Sequence, residues 1–285
     1  AAPEVTTPAD LGEEDKAVAD AVAEAMKGEG APALVAGDGL DAAAATQANE
    51  NEVTVEAGKD ALDNAGITTK EKTVTIVVQP YMSVEITAVD KTAGTITLDI
   101  TPMYRTVATP ADLNASTPED IKVSGDAGVG DDANAVEIPG VGGELTITKE
   151  VTITIPLGNS NLFTSGDSVY VKHSKDGSLV GYHEATIDET DNTLTFTNDK
   201  GFSTFEAVKD DRTAKVNFNG SEVTYTPADI NDALPTAAAP SGQVFGGWQF
   251  DGISGTYTTL TDELLTALDK AYSDTGSSIP ITATA

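Results

Sequence analysis

Cysteine is absent from the chain and histidine occurs only twice in 285 residues. Without a thiol, disulfides, thiolate nucleophiles and Cys-ligated metals are all excluded. Aromatic residues are sparse at 5%, so the cores must rest on Val, Ile, Leu and Ala. Basic residues are scarce as well, 16 Lys and Arg against 46 Asp and Glu, for a formal net charge of −30. A field of that sign repels a phosphate backbone and an anionic membrane surface, so a nucleic-acid partner is not expected. No run approaches ~18 apolar residues, so no membrane span is expected either. No P-loop, nucleophile elbow, zincin helix or dinucleotide fingerprint is present, so neither an enzyme nor a bound cofactor is expected.

What is present is periodicity. The chain is long enough for two or three domains, and its pattern changes twice. Residues 1–70 are rich in Ala, Asp and Glu. "TPADLGEEDKAVADAVAEAMKGEG" reads as a helix, capped by Thr7 or Asp10 and stopped by Gly28. Leu11, Val18, Val22, Ala25 and Met26 fall on one face, which should dock on something. Gly37–Glu52 is low in complexity and reads as loop, and Ala57–Ile67 as a short helix closed by Gly66. The N-terminal "AAPEVTTPAD" reads as a mature end left by cleavage at a small-residue site, the signal peptide lying outside this sequence.

From Lys72 the apolar period becomes two. "KTVTIVVQPY", "SVEITAV", "GTITLDIT", "ELTITKEVTITIPL", "DSVYVKH", "LVGYHEATI" and "NTLTFTN" all read as strands bounded by Gly, Pro, Asp or Asn. Strands this frequent, with no helices between them, predict an antiparallel β-sandwich over 71–212. Asn114–Gly143 reads as a long loop carrying one strand, "DIKVSG". Residues 213–285 give a hairpin, a capped turn near Pro227–Asp229, a strand at "VFGGWQFDG", a helix capped by Thr261 or Thr259, and a closing strand. That order predicts a small α+β module. Alternation puts Trp248 and Phe250 in its core, with the neighbouring glycines allowing close backbone approach.

Leu234, Pro235, Pro240, Phe245, Gly247, Trp248 and Ile281–Ala283 resemble, in order and spacing, the Listeria–Bacteroides or internalin B-type repeat. The resemblance covers about a quarter of the chain; Gln243-Val244 replaces the usual Gly-Tyr, and a helix is inserted before the last strand. It implies a β-grasp-like fold and a spacer or adhesive role in surface proteins of Gram-positive bacteria. Val151–Leu157, Val169–His173 and Gly201–Phe205 resemble an Ig-like segment of secreted Firmicute proteins, with Phe202 and Phe205 in its closing strand. That implies a β-sandwich at the cell surface and no catalysis.

Two kinds of constellation invite chemistry. In "VYVKHSKDGSLVGYH" the Asp176-Gly177 pair signals a two-residue hairpin. Its regular register sets His173 opposite Val180 and His183 opposite Tyr170, which puts the imidazoles on opposite faces and excludes a shared metal. The acidic clusters make Asp188, Asp191, Asp131 and Asp132 candidate calcium ligands, and "KDD" at Lys209–Asp211 is a third cluster. None has EF-hand or nonapeptide spacing, so solvated turns are the favoured reading.

The sequence therefore predicts a mainly β, extracellular bacterial cell-surface protein with a helical Ala-rich N-terminal segment (1–70), an Ig-like sandwich (71–212) and a β-grasp-like module (213–285). Its expected role is structural or adhesive, as a self-associating subunit of a filament or layer. Copies would join through strand addition or helix docking. The alternative is a monomeric module binding a host protein or glycan through an exposed aromatic patch, which only Tyr81, Tyr104, Tyr170, Tyr182, Tyr257 and Tyr272 are free to make. A secreted hydrolase is the third reading.

Overall fold

The computed structural model describes residues 2–28, 30–36, 39–50, 54–67, 74–110, 119–123, 135–279 and 281–284. The first elements are β1 (Glu4–Thr6), α1 (Glu13–Lys27), β2 (Val35–Ala36), α2 (Leu40–Glu50), α3 (Val55–Asn64), β3 (Val74–Asp90), β4 (Thr95–Pro110), β5 (Glu119–Val123) and β6 (Val136–Glu144). Then come β7 (Val151–Pro156), β8 (Val169–Lys175), β9 (Ser178–Glu184), β10 (Thr186–Asp188), β11 (Thr193–Asn198) and β12 (Thr204–Lys209). The last are β13 (Ala214–Phe218), β14 (Ser221–Tyr225), β15 (Gly247–Phe250), β16 (Ile253–Tyr257), α4 (Asp262–Thr275) and β17 (Ile281–Thr284). The protein is mainly β, with several largely antiparallel sheets and no barrel.

Two sheets share the largest core. One runs β1-β3-β4-β12-β8-β9 and the other β10-β11-β7-β2. Their inward residues alternate along each strand, as in Ile96, Leu98 and Ile100 of β4 and Val151, Ile153 and Ile155 of β7, and all fall in one buried cluster. Helix α1 joins that cluster through Val18, Val22 and Met26. Gly12 is its N-cap, not Thr7 or Asp10, and no side chain caps it. Glu13, Glu14 and Asp15 in the first turn meet the positive end of the helix instead, and the Asp15 carboxylate accepts from the Lys91 amide at 2.9 Å.

The helix lies close on the turn after β7. Gly158 has φ +55°, and a Cβ there would sit 2.5 Å from the Ala21 carbonyl oxygen. Gly158→Ala should therefore cost about 3 kcal/mol in urea denaturation, from left-handed strain plus a backbone clash. Gly30, with φ +79° and open space around its Cβ position, is the control: Gly30→Ala should show the strain alone. Equal losses at the two sites would refute the close packing.

Strands β3 and β4 are longer than expected. "KTVTIVVQPY" and "SVEITAV" form one strand of 17 residues, and β4 continues past "GTITLDIT" to 16. Both run through a proline, which strands usually reject. The neighbours explain the exception. On its outer side β3 pairs with β5 along Val74–Val78 and with β1 along Ser83–Glu85, and Pro80 falls in the gap. In the same way β4 pairs with β12 along Thr95–Asp99 and with β6 from Met103, leaving Pro102 between them. Neither proline is asked for a ladder donor. The result is a two-stranded ribbon roughly 55 Å long at about 3.3 Å per residue.

Its far end carries separate small cores. Helix α3 buries Leu62 against Val74, Ile76 and Ala108, while Ala44 of α2 packs with Val78, Tyr104 and Leu145. Helix α2 corrects the loop expected over Gly37–Glu52. Its Ala run has the highest helix propensity, and Ala44 is small enough to be fully buried against the ribbon. The Gly-rich stretch expected as loop also supplies β6, which pairs with β4 through a register shift between Arg105 and Val107.

The C-terminal elements form another core. Asn219 (φ 53°) and Gly220 (φ 95°) close the β13–β14 hairpin. Pro227–Asp229 form a single 3-10 turn with a Thr226/Asp229 capping box. Helix α4 starts at Thr261, whose hydroxyl accepts from the Leu264 amide at 3.1 Å, and ends at left-handed Gly276. Strands β16-β15-β17 make a three-stranded sheet. At the start of β15, Gly247 has φ +133° and its Cβ position lies 2.8 Å from the Tyr257 carbonyl oxygen, so only glycine fits. Trp248 and Phe250 are buried and Phe245 is half-buried, its ring centre 5.2 Å from that of Trp248.

Candidate functional site

The β8–β9 hairpin turns at Asp176 (φ 51°) and Gly177 (φ 75°), the two left-handed residues expected of that pair. Lys175 opposes Ser178 and Ser174 opposes Leu179, but His173 then opposes Gly181, leaving Val180 as an extra residue. A one-residue slip moves a side chain to the other face. His183 consequently opposes Val171, not Tyr170, and shares a face with His173. The ring centres lie 5.8 Å apart with a 35° tilt. The expectation that the imidazoles occupy opposite faces, and with it the exclusion of a shared ion, is overturned.

The bulge is held by residues remote in sequence. Asn231 Nδ2 donates to the Val180 carbonyl at 3.0 Å. Around the rings, His173 stacks on Phe205 with centres 4.4 Å apart and planes at 19°, and His183 lies 5.6 Å from Phe196. Phe205 is fully buried and Phe202 half-buried beside it, so both expected core residues line this aromatic cluster.

Hydrogen bonds fix both tautomers. The Ser203 hydroxyl donates to the Ser174 carbonyl at 2.8 Å, so its oxygen accepts from His173 Nε2 at 2.8 Å. His173 then carries its proton on Nε2 and a bare lone pair on Nδ1. His183 bonds the backbone of Thr197 in the opposing sheet, and its Nε2 is bare. Both bare nitrogens, His173 Nδ1 and His183 Nε2, are buried without a hydrogen-bond partner.

Both imidazoles are held neutral. Burial first, then the His183, Lys200 and Lys175 charges, pulls His173 down from 6.5 to about 4. Burial and then Lys200 lower His183 as well, against smaller opposing effects of Asp199 and Thr197. The sign follows by linkage: the unfolded chain binds more protons below pH 6.5, so this contribution to stability is full above 6.5 and is lost as pH falls towards 4. The melting temperature of the wild type should drop across that window more steeply than that of His173→Phe. Parallel pH profiles would show that the ring does not titrate in this way.

A second polar cluster joins the β8–β9 side of the large sheet to the C-terminal elements. The Arg212 guanidinium contacts Asp210 Oδ2 at 2.7 Å, Asp262 Oδ1 at 2.9 Å, Thr266 Oγ1 at 2.7 Å and the Tyr182 hydroxyl at 3.2 Å. Asp210 is 8% exposed, so this is a nearly desolvated pair. Burial alone would lower the Arg212 pKa, but its hydrogen bonds to Asp210 and Asp262 outweigh that and hold it above the ordinary value. Burial and then the Asp262 charge push Tyr182 up to about 12. The group spans elements 80 residues apart and has no spare donor aimed at a ligand, which makes it a clamp.

Of the acidic candidates, Asp188 is engaged by its own turn. Asp188 Oδ1 accepts from the Thr190 amide at 2.8 Å and the Asp191 amide at 3.2 Å, an Asx-type turn between β10 and β11. In "KDD", Lys209 pairs with Asp167 and Asp210 with Arg212. Asp131 and Asp132 lie outside the described residues. Among the described residues no three His, Asp or Glu side chains form a metal-sized group, and no helix is long and apolar enough to cross a membrane. The chain matches no protein-family model and no curated protein sequence.

Proposed function

We propose that the chain is a non-enzymatic structural or adhesive protein of the bacterial cell surface, a self-associating subunit of a filament or layer. In this reading the two-sheet core is an Ig-like β-sandwich, the C-terminal elements are a β-grasp-like module related to the Listeria–Bacteroides repeat, and copies join by strand addition. The observation that supports it best is where the aromatic side chains lie. Every Phe, Tyr and Trp is buried or half-buried, so none is offered as a stacking platform for a glycan. Tyr104, Tyr170 and Tyr182, three of the residues such a platform would need, lie in the cores.

A strand edge is offered instead. β16 forms one margin of its sheet and pairs with β15 alone, and Ser254, Gly255 and Thr256 at its centre are exposed. Light scattering and negative-stain microscopy should show oligomers of the wild type that Thr256→Pro reduces while melting as a folded protein. Monomers alone across a range of protein and calcium concentrations would sink the assembly reading, and a specific hit on a glycan array would favour the monomeric binding module.

A further inference from the structure

The two bare imidazole nitrogens are unexplained by any structural role, since a buried acceptor without a partner is destabilising. Several features converge on one occupant. His173 donates its other N–H to Ser203, itself fixed by the Ser174 carbonyl, and His183 is bonded to the Thr197 backbone. That is how proteins orient metal-binding imidazoles. An imidazole nitrogen lies roughly 1.1 Å from its ring centre and binds a metal at about 2 Å, so two rings sharing an ion have centres at most about 6 Å apart. The observed 5.8 Å meets that limit.

We propose that His173 and His183 together bind one monovalent d10 cation, Cu(I) or its redox-inert analogue Ag(I), in two-coordinate geometry. The donor set selects the ion. Zinc seeks about four ligands and calcium about six or more oxygens, and among the described residues no carboxylate or third imidazole completes such a set. Two imidazoles suit the copper group, and a single positive charge is the least costly to desolvate beside Phe196 and Phe205. Lys200 opposes the cation and Asp199 partly offsets it. Binding transfers no electron and releases no proton, because both donor nitrogens are already bare. His183 is only half-buried, which leaves the site near the surface.

The test is a titration of the 15N-labelled chain with silver nitrate in chloride-free buffer at neutral pH, followed by long-range 1H–15N spectra. One equivalent should shift His173 Nδ1 and His183 Nε2 together, far more than any backbone nitrogen, and raise the melting temperature. His173→Phe and His183→Phe should each lose that equivalent. Ser203→Ala, which keeps both ligands but frees the His173 tautomer, should weaken it about 10-fold. The proposal is overturned if neither nitrogen moves in the wild type, if the two shift as separate sites, or if the equivalent persists in both folded His variants, which would assign it to a methionine sulfur. The wild-type spectra decide the matter even where a variant fails to fold.

Discussion

Replacing Trp248 with alanine should remove the C-terminal module's fold while leaving the two-sheet core intact. The indole is 2% exposed, sits edge-on to Phe218 with centres 5.1 Å apart, and donates its N–H to the Pro235 carbonyl. Truncating a buried Trp typically costs ~3–5 kcal/mol, and here the Pro235 carbonyl also loses its donor. A core of this size has little reserve, because small modules bury proportionately less surface. Hydrogen exchange is the discriminating measurement. Protection should collapse over Ala214–Phe218, Gly247–Phe250 and Asp262–Thr275 and persist over Val74–Asp90 and Val151–Pro156. A variant with native protection throughout and a changed binding property would make the tryptophan a ligand platform after all.

Arg212→Ala should produce the other large loss, about 3–5 kcal/mol, because it strands a nearly buried Asp210 carboxylate without its counter-charge. Arg212→Lys should recover only part, since an ammonium cannot reach Asp210, Asp262 and Tyr182 from one planar fork. Removing both charges with Asp210→Leu and Arg212→Met should restore more stability than either single change leaves, since breaking a buried pair costs more than replacing it. Denaturation curves in low and high salt should shift little relative to each other, as expected for a desolvated pair. A loss under about 1 kcal/mol for Arg212→Ala would class the network with ordinary surface ion pairs.

Local chemistry was legible in the sequence. The Asp176-Gly177 turn, the β13–β14 hairpin, the Thr261 cap and the alternation of Trp248 and Phe250 all depend on residues within one turn or strand of each other. The failures share a cause: each was decided by a partner distant in the chain. The His173–His183 face depends on a bulge at Val180 whose carbonyl is taken by Asn231, 51 residues on. Strand β3 read as two strands and β4 as ending before Pro102, because the neighbouring strands that support their full length cannot be seen locally. Helix α2 read as loop because its Ala-rich segment has almost no amphipathic pattern until Ala44 meets Tyr104. The Arg212 clamp left no signal beyond "KDDR", since its other members come from β9 and α4.

Pro80 and Pro102, at the waist of the ribbon, also limit pairing along its flanks. Leu145 donates to the Pro102 carbonyl at 2.7 Å, so the backbone of Pro102 faces away from β3. Pro80 stands two residues from Met82, the cross-strand partner of Pro102, and by the alternation of the ladder it faces away from β4. Each outer flank of the ribbon's waist therefore carries a residue with no N–H to give. The Pro102 flank is already met by Leu145, and neither proline can donate to a further strand.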